Sequence, residues 1–418
     1  MERILAISTL FPTLEMPHHG LFVFNRLKAM ASTPGVDITV CNPVPTSIVH
    51  RVLPRYKAQQ SVPRERKDGG MTIFHPRYHA IPGLKKDREH LSAIKHVGPF
   101  LRQLHKQKQF TQIDVHWTYP DLPLAILLSK EWGIPCSLTL RGMEAFYLDD
   151  DDSRSDIIFS HIGEVDQLIS LSQEMLTVAN SRSTFVGGEI VTNGADTSRF
   201  EYTDMEVARY KLGLPSRDVD ILVGVGAIIE RKGFHHVIDA ITELNTTVRK
   251  DNPVRYYVLG SAGMEGNFEK SVRHKIATYE KQTGRTGDIV LAGKVGNAEL
   301  PYWYNAATLF CLSSFGEGSP NVLTEALSCG CPAIATDVGA VPDIMARYPD
   351  SGSIIANQKD SDDAHAKKAW ASVILFALEH KKTPQFRYRQ ADYMRNFTWD
   401  WCAQQSLRVI LNRRKAVA

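Results

Sequence analysis

Cysteine is scarce. Cys41, Cys136, Cys311, Cys329, Cys331 and Cys402 are the six in 418 residues, and none forms a CxxC pair. That excludes a small disulfide scaffold and leaves free buried thiols, with zinc or redox chemistry as the lesser reading, in a reducing compartment. Long apolar runs are also lacking. The opening MERILAISTLFPT holds a short apolar run before Pro12, which reads as a buried strand rather than a signal segment. Nothing reaches the ~18 apolar residues of a spanning helix, so the expected location is cytoplasmic, at most on the inner face of the cell membrane. Net charge is only +3, which gives no whole-chain nucleic-acid signature. What remains is 43% hydrophobic and 23% charged, an ordinary globular composition, long enough for two to three domains at roughly 100–200 residues each.

Short apolar runs alternate with helix-length amphipathic stretches. Strands are predicted at Arg3–Ser8, Asp37–Cys41, Met71–His75, Ile113–His116, Pro135–Leu140 and Glu189–Thr192, with helices at Leu21–Ala31, Leu91–Lys108 and Asp121–Glu131. The pattern restarts with Val219–Gly226, Arg255–Gly260, Ile289–Ala292, Leu309–Ser313 and Ala333–Thr336, interleaved with helices that include Asn321–Ser328 and Asp362–His380. Little period-two alternation means strands buried on both faces, as in parallel α/β sheets. The break between the halves falls near the polar, loop-like Ala195–Pro215.

Residues 51–110 hold fourteen Lys/Arg against four Asp/Glu. Leu91, Ile94, Phe100, Leu101 and Leu104 interleave there with Lys95, Arg102, Lys106 and Lys108, as in an interfacial helix, although Pro99 argues against one continuous helix. A solvated basic face is the simpler reading. A surface facing anionic lipid or an anionic acceptor is the other.

The segment Phe315-Gly-Glu-Gly-Ser-Pro-Asn-Val-Leu-Thr-Glu325 places a Gly-rich turn between a strand and a helix. Loop amides and a helix N-terminus at the carboxyl end of a strand make an anion site, and the two carboxylates, eight positions apart, suit sugar or ribose hydroxyls. This segment, with the following Gly330-Cys-Pro-Ala-Ile-Ala-Thr-Asp-Val-Gly-Ala-Val-Pro-Asp343, resembles the EX7E motif of GT-B retaining glycosyltransferases, especially family 4; Asp343 stands where the family usually has Glu. The resemblance implies that Glu317 contacts the transferred sugar and Glu325 the nucleotide ribose, while Ser319, Pro320, Asn321 and Val322 hold sugar hydroxyls and phosphate.

Other segments resemble the same family. In Val223-Gly-Val-Gly-Ala-Ile-Ile-Glu-Arg-Lys-Gly-Phe234, Arg231 and Lys232 would neutralise a departing diphosphate, with Gly226 at the donor turn. A dinucleotide fingerprint at Gly224-Val-Gly226 is rejected, because position 229 is Ile. Val191-Thr-Asn-Gly-Ala-Asp196 resembles the family's junction element; Asn193 there is a structural turn or a donor contact. In Pro12–Leu21, Gly20 is the candidate for close approach to phosphate or acceptor. Thr139-Leu-Arg-Gly-Met-Glu144 departs from the family's His-Gly-x-Asp, with Arg141 for His and Glu144 for Asp. Arg141 cannot act as a base; it could bind a carboxylate or phosphate, position the sugar, or pair with the acidic Asp149–Asp152. His18, His19, His75 and His79 lack ligand spacing, so no metal site is predicted, and no cofactor.

The resemblance implies two facing Rossmann-like domains: residues 1–195 for the acceptor, completed by a return helix at 396–418, and 205–395 for the nucleotide sugar. It implies retaining transfer from a nucleoside-diphosphate sugar, UDP favoured, to a glycan, lipid-linked or small-molecule acceptor in polysaccharide biosynthesis; the basic surface of 51–110 adds peripheral contact with an anionic membrane as a further expectation. A nucleotide-sugar epimerase and a non-catalytic sugar-nucleotide-binding scaffold are the alternatives.

Overall fold

A run that is apolar at every position needs cover on both faces of its strand. The first, β1 (Glu2–Ile7), has Ile4, Leu5, Ala6 and Ile7 all buried. The described residues of the computed structural model are 1–53, 60–84, 86–142, 153–263, 267–296, 298–359, 361 and 363–412. They form two units, Met1–Gly194 with Trp399–Ala418, and Ala195–Thr398.

In the first unit β1 is followed by β2 (Val36–Cys41), β3 (Val44–Thr46), β4 (Glu65–Asp68), β5 (Met71–Phe74), β6 (Arg77–His79), β7 (Gln112–Val115), β8 (Cys136–Thr139), β9 (Gln167–Ser170) and β10 (Glu189–Ile190). Eight of them form a sheet in the order β10-β9-β8-β7-β1-β2-β5-β4. All neighbours are parallel except β4 and β5. β3 and β6 pair separately. The strand order reverses at β1, so the carboxyl ends of β1 and β7 flank the point where ligands bind in such sheets. The helix Trp399–Ile410 completes this unit, packing Cys402, Ala403 and Leu407 with Val23, Leu27 and Met30 of the helix Leu21–Ala31.

The second unit holds β11 (Ile221–Val225), β12 (Arg255–Leu259), β13 (Ile289–Gly293), β14 (Leu309–Leu312), β15 (Ala333–Thr336) and β16 (Gly352–Ile355). Their order is β13-β12-β11-β14-β15-β16, parallel throughout, the doubly wound Rossmann order with its reversal between β11 and β14. The fold class is therefore as expected: α/β, in two Rossmann-like halves. Within the second, the buried guanidinium of Arg387 donates to the carbonyls of Gly330 (3.0 Å), Ala307 (2.9 Å), Asn305 (3.1 Å) and Tyr304 (3.3 Å). It ties the helix Pro384–Met394 to the element ends beneath the site.

Three local expectations are corrected. Ala195–Pro215 is not all loop: Asp204 caps a helix over Met205–Leu212, closed by Gly213 and held by the buried Arg209. Pro99 does not break its helix, which runs unbroken over Glu89–Lys108; Pro99 faces solvent, where water can satisfy the carbonyl its ring leaves unbonded. That helix is also not interfacial. Leu101 and Leu104 are buried, and Ile94 and Phe100 pack against the same core. Arg102 is committed to Glu131 through two hydrogen bonds of 2.7 and 2.6 Å.

Candidate functional site

The second unit brings two distant segments together at its switch point. β11 ends at Val225, just before Gly226, and Glu230–Lys232 follow as one 3₁₀ turn stopped by Gly233. Gly233 has φ 62°, and a Cβ there would lie 1.9 Å from the Ser313 carbonyl oxygen. Only glycine lets the turn press onto the end of β14. Phe315 N–H donates to the Arg231 carbonyl at 2.8 Å, and Ser313 Oγ to the Lys232 carbonyl at 2.8 Å.

This seam carries the charges. Lys232 Nζ donates to Glu317 Oε1 at 2.6 Å, and Arg231 Nη1 lies 3.8 Å from the same oxygen while bonding the Gly316 carbonyl. Burial acts to raise the Glu317 carboxyl, but the Lys232 charge and hydrogen bond, with Arg231, hold it below the usual carboxylate range. Gly226 leaves room for the lysine, since a Cβ there would sit 3.3 Å from Lys232 Cε. Gly224 serves packing instead: a Cβ there would lie 2.4 Å from Tyr256 Oη.

The loop then passes through Ser319 to Pro320, and the helix Asn321–Ser328 opens with no side-chain cap. Val322 and Asn321 are half-buried in its first turn. Glu325, one turn in, accepts from Tyr304 Oη at 3.2 Å. Burial pushes its carboxyl up to about 7, against the opposing pull of the Tyr304 hydrogen bond and Arg199. The two glutamates thus differ chemically: Glu317 is an ion-paired carboxylate, and Glu325 is poised between acid and anion near neutrality.

In the first unit, β7 and β8 carry a buried polar chain. Arg141, just past β8, donates to His116 Nδ1 at 2.7 Å and to Asn193 Oδ1 at 3.3 Å. Since a guanidinium only donates, His116 Nδ1 is an acceptor and its proton sits on Nε2, 2.9 Å from Asp114 Oδ2. Burial lowers the His116 pKa, opposed by Asp114 and reinforced by Arg141, in the same direction as the single ring proton that the Arg141 contact requires. Asp114 also accepts from Ser137 Oγ at 2.8 Å. Glu144 and Asp149–Asp152 lie outside the described residues.

Gly20, at φ 69°, opens the helix Leu21–Ala31, and a Cβ there would lie 2.5 Å from the Leu10 carbonyl oxygen. Its glycine is thus required by packing on the β1 loop. That loop is pinned by Asp121, which accepts from Thr9 N–H at 2.6 Å and from Thr9 Oγ1 at 3.1 Å. Burial raises the Asp121 carboxyl to about 7.

Sequence reasoning missed Asp114, His116, Asp121, Tyr304 and Gly339, which at positive φ lies against the Glu317 and Gly318 carbonyls. The D-x-H of Asp114 and His116 was a usable signal, because two titratable residues fall at the buried carboxyl end of β7. All six cysteines are free and buried. Among the described residues no group of three or more His, Cys, Asp or Glu is placed to hold a metal ion.

Residues 220–371 match the family Glycosyl transferases group 1. TuaC of Bacillus subtilis (strain 168), assigned to teichuronic acid biosynthesis as a glycosyltransferase, is 27% identical over 352 residues, 83% of this chain and 84% of that one. The D-inositol 3-phosphate glycosyltransferase of Nocardioides sp. (strain ATCC BAA-499 / JS614) is 29% identical over 237 residues, 55% of this chain and 49% of that one, so the match spans about half its length. Among solved structures, sucrose-phosphate synthase from Thermosynechococcus elongatus superposes with TM-score 0.70 at 16% identity, covering 97% of both chains. Anabaena HepE in complex with UDP gives TM-score 0.67 at 16% identity over 97% of this chain and 98% of that one. At such identity these structures show the fold. Fold and matched segment together define the class: a glycosyltransferase (EC 2.4) of GT-B architecture. No helix among the described residues is long and apolar enough to cross a membrane.

Proposed function

We propose that this enzyme is a metal-independent, retaining glycosyltransferase of the cytoplasm that moves a sugar from a nucleoside-diphosphate sugar, UDP favoured, to an acceptor in polysaccharide biosynthesis. One observation carries the reading. Arg231, Lys232 and Glu317 converge at the switch point of the second unit, beside a loop that opens a helix. Two cations there would stabilise the diphosphate as it leaves, with the N–H groups of Ser319 in the loop and of Asn321 and Val322 in the first turn adding fixed dipoles. Glu317 would order the sugar hydroxyls, and Glu325 would accept from the ribose. HepE binds UDP and UDP-glucose, which favours UDP as the carrier. TuaC's role in teichuronic acid biosynthesis favours a cell-surface glycan or its lipid-linked precursor as acceptor.

In this reading Arg141, Asn193 and Gly20 serve the acceptor side, with Glu144 as a further candidate. The attack would proceed from the same face as the departing diphosphate, which takes the acceptor proton, so positioning and electrostatics supply the rate. The test is thermal stability with UDP, GDP and ADP, each with and without EDTA. Ligand at ~100-fold over Kd should add about 2.7 kcal/mol. UDP stabilisation unaffected by EDTA is the expected result, and the anomeric configuration of the product then decides retention. No shift with any nucleotide sinks the proposal.

A further inference from the structure

Once the apolar stripe of Glu89–Lys108 is turned into the core, the aliphatic surface of this basic region lies elsewhere. Ile48, Ile81, Leu84 and Leu91 are 78, 48, 63 and 55% exposed. Ile48 opens the short helix Ile48–Val52, Ile81 and Leu84 bridge one turn, and Leu91 starts the long helix. Ile48, Val49, Ala80, Ile81 and Leu84 line an aliphatic cavity of about 530 Å3, with Arg88 at its side. Three exposed aliphatics, Ile48, Ile81 and Leu84, around one hollow, with Leu91 on the adjoining helix, are not the random scatter of a soluble surface.

The charge around the hollow has one sign in excess. Arg88 lines it, Lys86 opens the same turn, Lys86–Arg88, and Lys95 lies one helical turn beyond Leu91; all three are exposed. Of the two nearby acids, Asp87 faces Arg88 at 3.7 Å, and Glu89 is bonded by Tyr78 Oη at 2.7 Å.

We propose that this patch docks the first unit on an anionic bilayer. Ile48, Ile81 and Leu84 enter the acyl boundary, a lipid chain fills the hollow, and Lys86, Arg88 and Lys95 lie at the headgroups. Aliphatic side chains at the centre and cations at the rim match a lipid surface of negative charge. A protein partner would more often meet aromatic anchors. The proposal deepens the lipid-linked part of the function proposed above and rests on it.

The experiment is co-sedimentation of the full chain with vesicles of phosphatidylcholine containing phosphatidylglycerol, against phosphatidylcholine alone, at low and high salt. Binding should need the anionic lipid and weaken with salt. The variants I48S/I81S/L84S and K86E/R88E/K95E should each bind roughly tenfold or more weakly, with melting curves like the parent's. Absence of vesicle binding, or binding that both variants leave unchanged, overturns the proposal. So does a dimer in solution that I48S/I81S/L84S dissociates, since a second copy would then be the occupant. The UDP shift on the same preparation separates the two readings. A UDP shift without vesicle binding removes only the docking surface, and vesicle binding without any nucleotide shift removes the transferase reading.

Discussion

Lys232 Nζ and Glu317 Oε1 meet at 2.6 Å although 85 residues separate them in the chain. The contact joins the turn after β11 to the loop after β14, the two strands whose divergence creates the switch point. Each residue needs the other. A lone ammonium or carboxylate this far from water would be costly, and the pair keeps both charged where the proposed donor arrives.

Replacing Lys232 with Ala should lower kcat by roughly 10²–10³-fold, the usual cost of one preorganised charge-stabilising donor. Glu317→Gln should also change the acid limb of stability. Because the folded-state carboxyl is held low, its contribution is full above the unfolded value of about 4.3 and is lost as pH falls through the folded value. Denaturation followed below about pH 5 should be flatter in Glu317→Gln than in the parent.

Glu325 and Asp121 predict the opposite slope. Both carboxyls are raised to about 7 by burial, so the folded protein holds protons that the unfolded chain releases above about 4.3 (Glu325) and about 3.9 (Asp121). Stability should decline as pH rises from about 4 to about 7. Glu325→Gln and Asp121→Asn should each remove part of that decline, on the order of 1–2 kcal/mol. The effects should add, since the residues lie in different units. Denaturant titrations at several pH values check this, and an unchanged slope in both variants refutes it.

Gly339 tests the loop itself. At φ 51°, a Cβ there would lie 2.1 Å from the Glu317 carbonyl oxygen and 2.6 Å from that of Gly318. Gly339→Ala should displace the loop at a cost of about 1–3 kcal/mol and abolish the UDP shift, with the far-ultraviolet spectrum intact.

Arg141 is held by His116 and Asn193 through fork geometry that an ammonium cannot copy. Arg141→Lys should therefore reduce turnover at least about tenfold while UDP stabilises the variant as it does the parent. His116→Ala should cost about 3–5 kcal/mol, because it strips a partner from a fully buried carboxylate. Isothermal titration with UDP and chemical denaturation measure the two effects.

The parts of the site that sit on one segment were legible in sequence. The Gly-rich turn, the spacing from Glu317 to Glu325 and the Arg231-Lys232-Gly233 punctuation each follow from local backbone needs. Partners on different strands were not. Arg141 is understood only once β7 and β8 lie side by side and His116 comes within reach. The strand Gln167–Ser170 escaped notice because it begins polar, and its glutamine is satisfied inside the sheet, where Gln112 Nε2 donates to Gln167 Oε1 at 3.4 Å. The leucine-rich helix misled for a plainer reason. A core-facing stripe and a lipid-facing stripe have the same 3.6-residue period, and only neighbours distinguish them.

The four carbonyls gathered by Arg387 have a mechanical consequence. Gly330, just past the helix Asn321–Ser328, is bolted to Arg387, and Gln390 adds bonds to Leu327 (3.1 Å) and Cys331 (3.3 Å). The helix is thus clamped at its far end and begins in a loop, like a reed fixed at its base. Glu325 thus sits on a segment anchored from behind by Arg387 and Gln390, whereas the Gly316–Pro320 loop before it is held from other elements, by Arg231 at the Gly316 carbonyl and by Ala340 N–H at the Gly318 carbonyl.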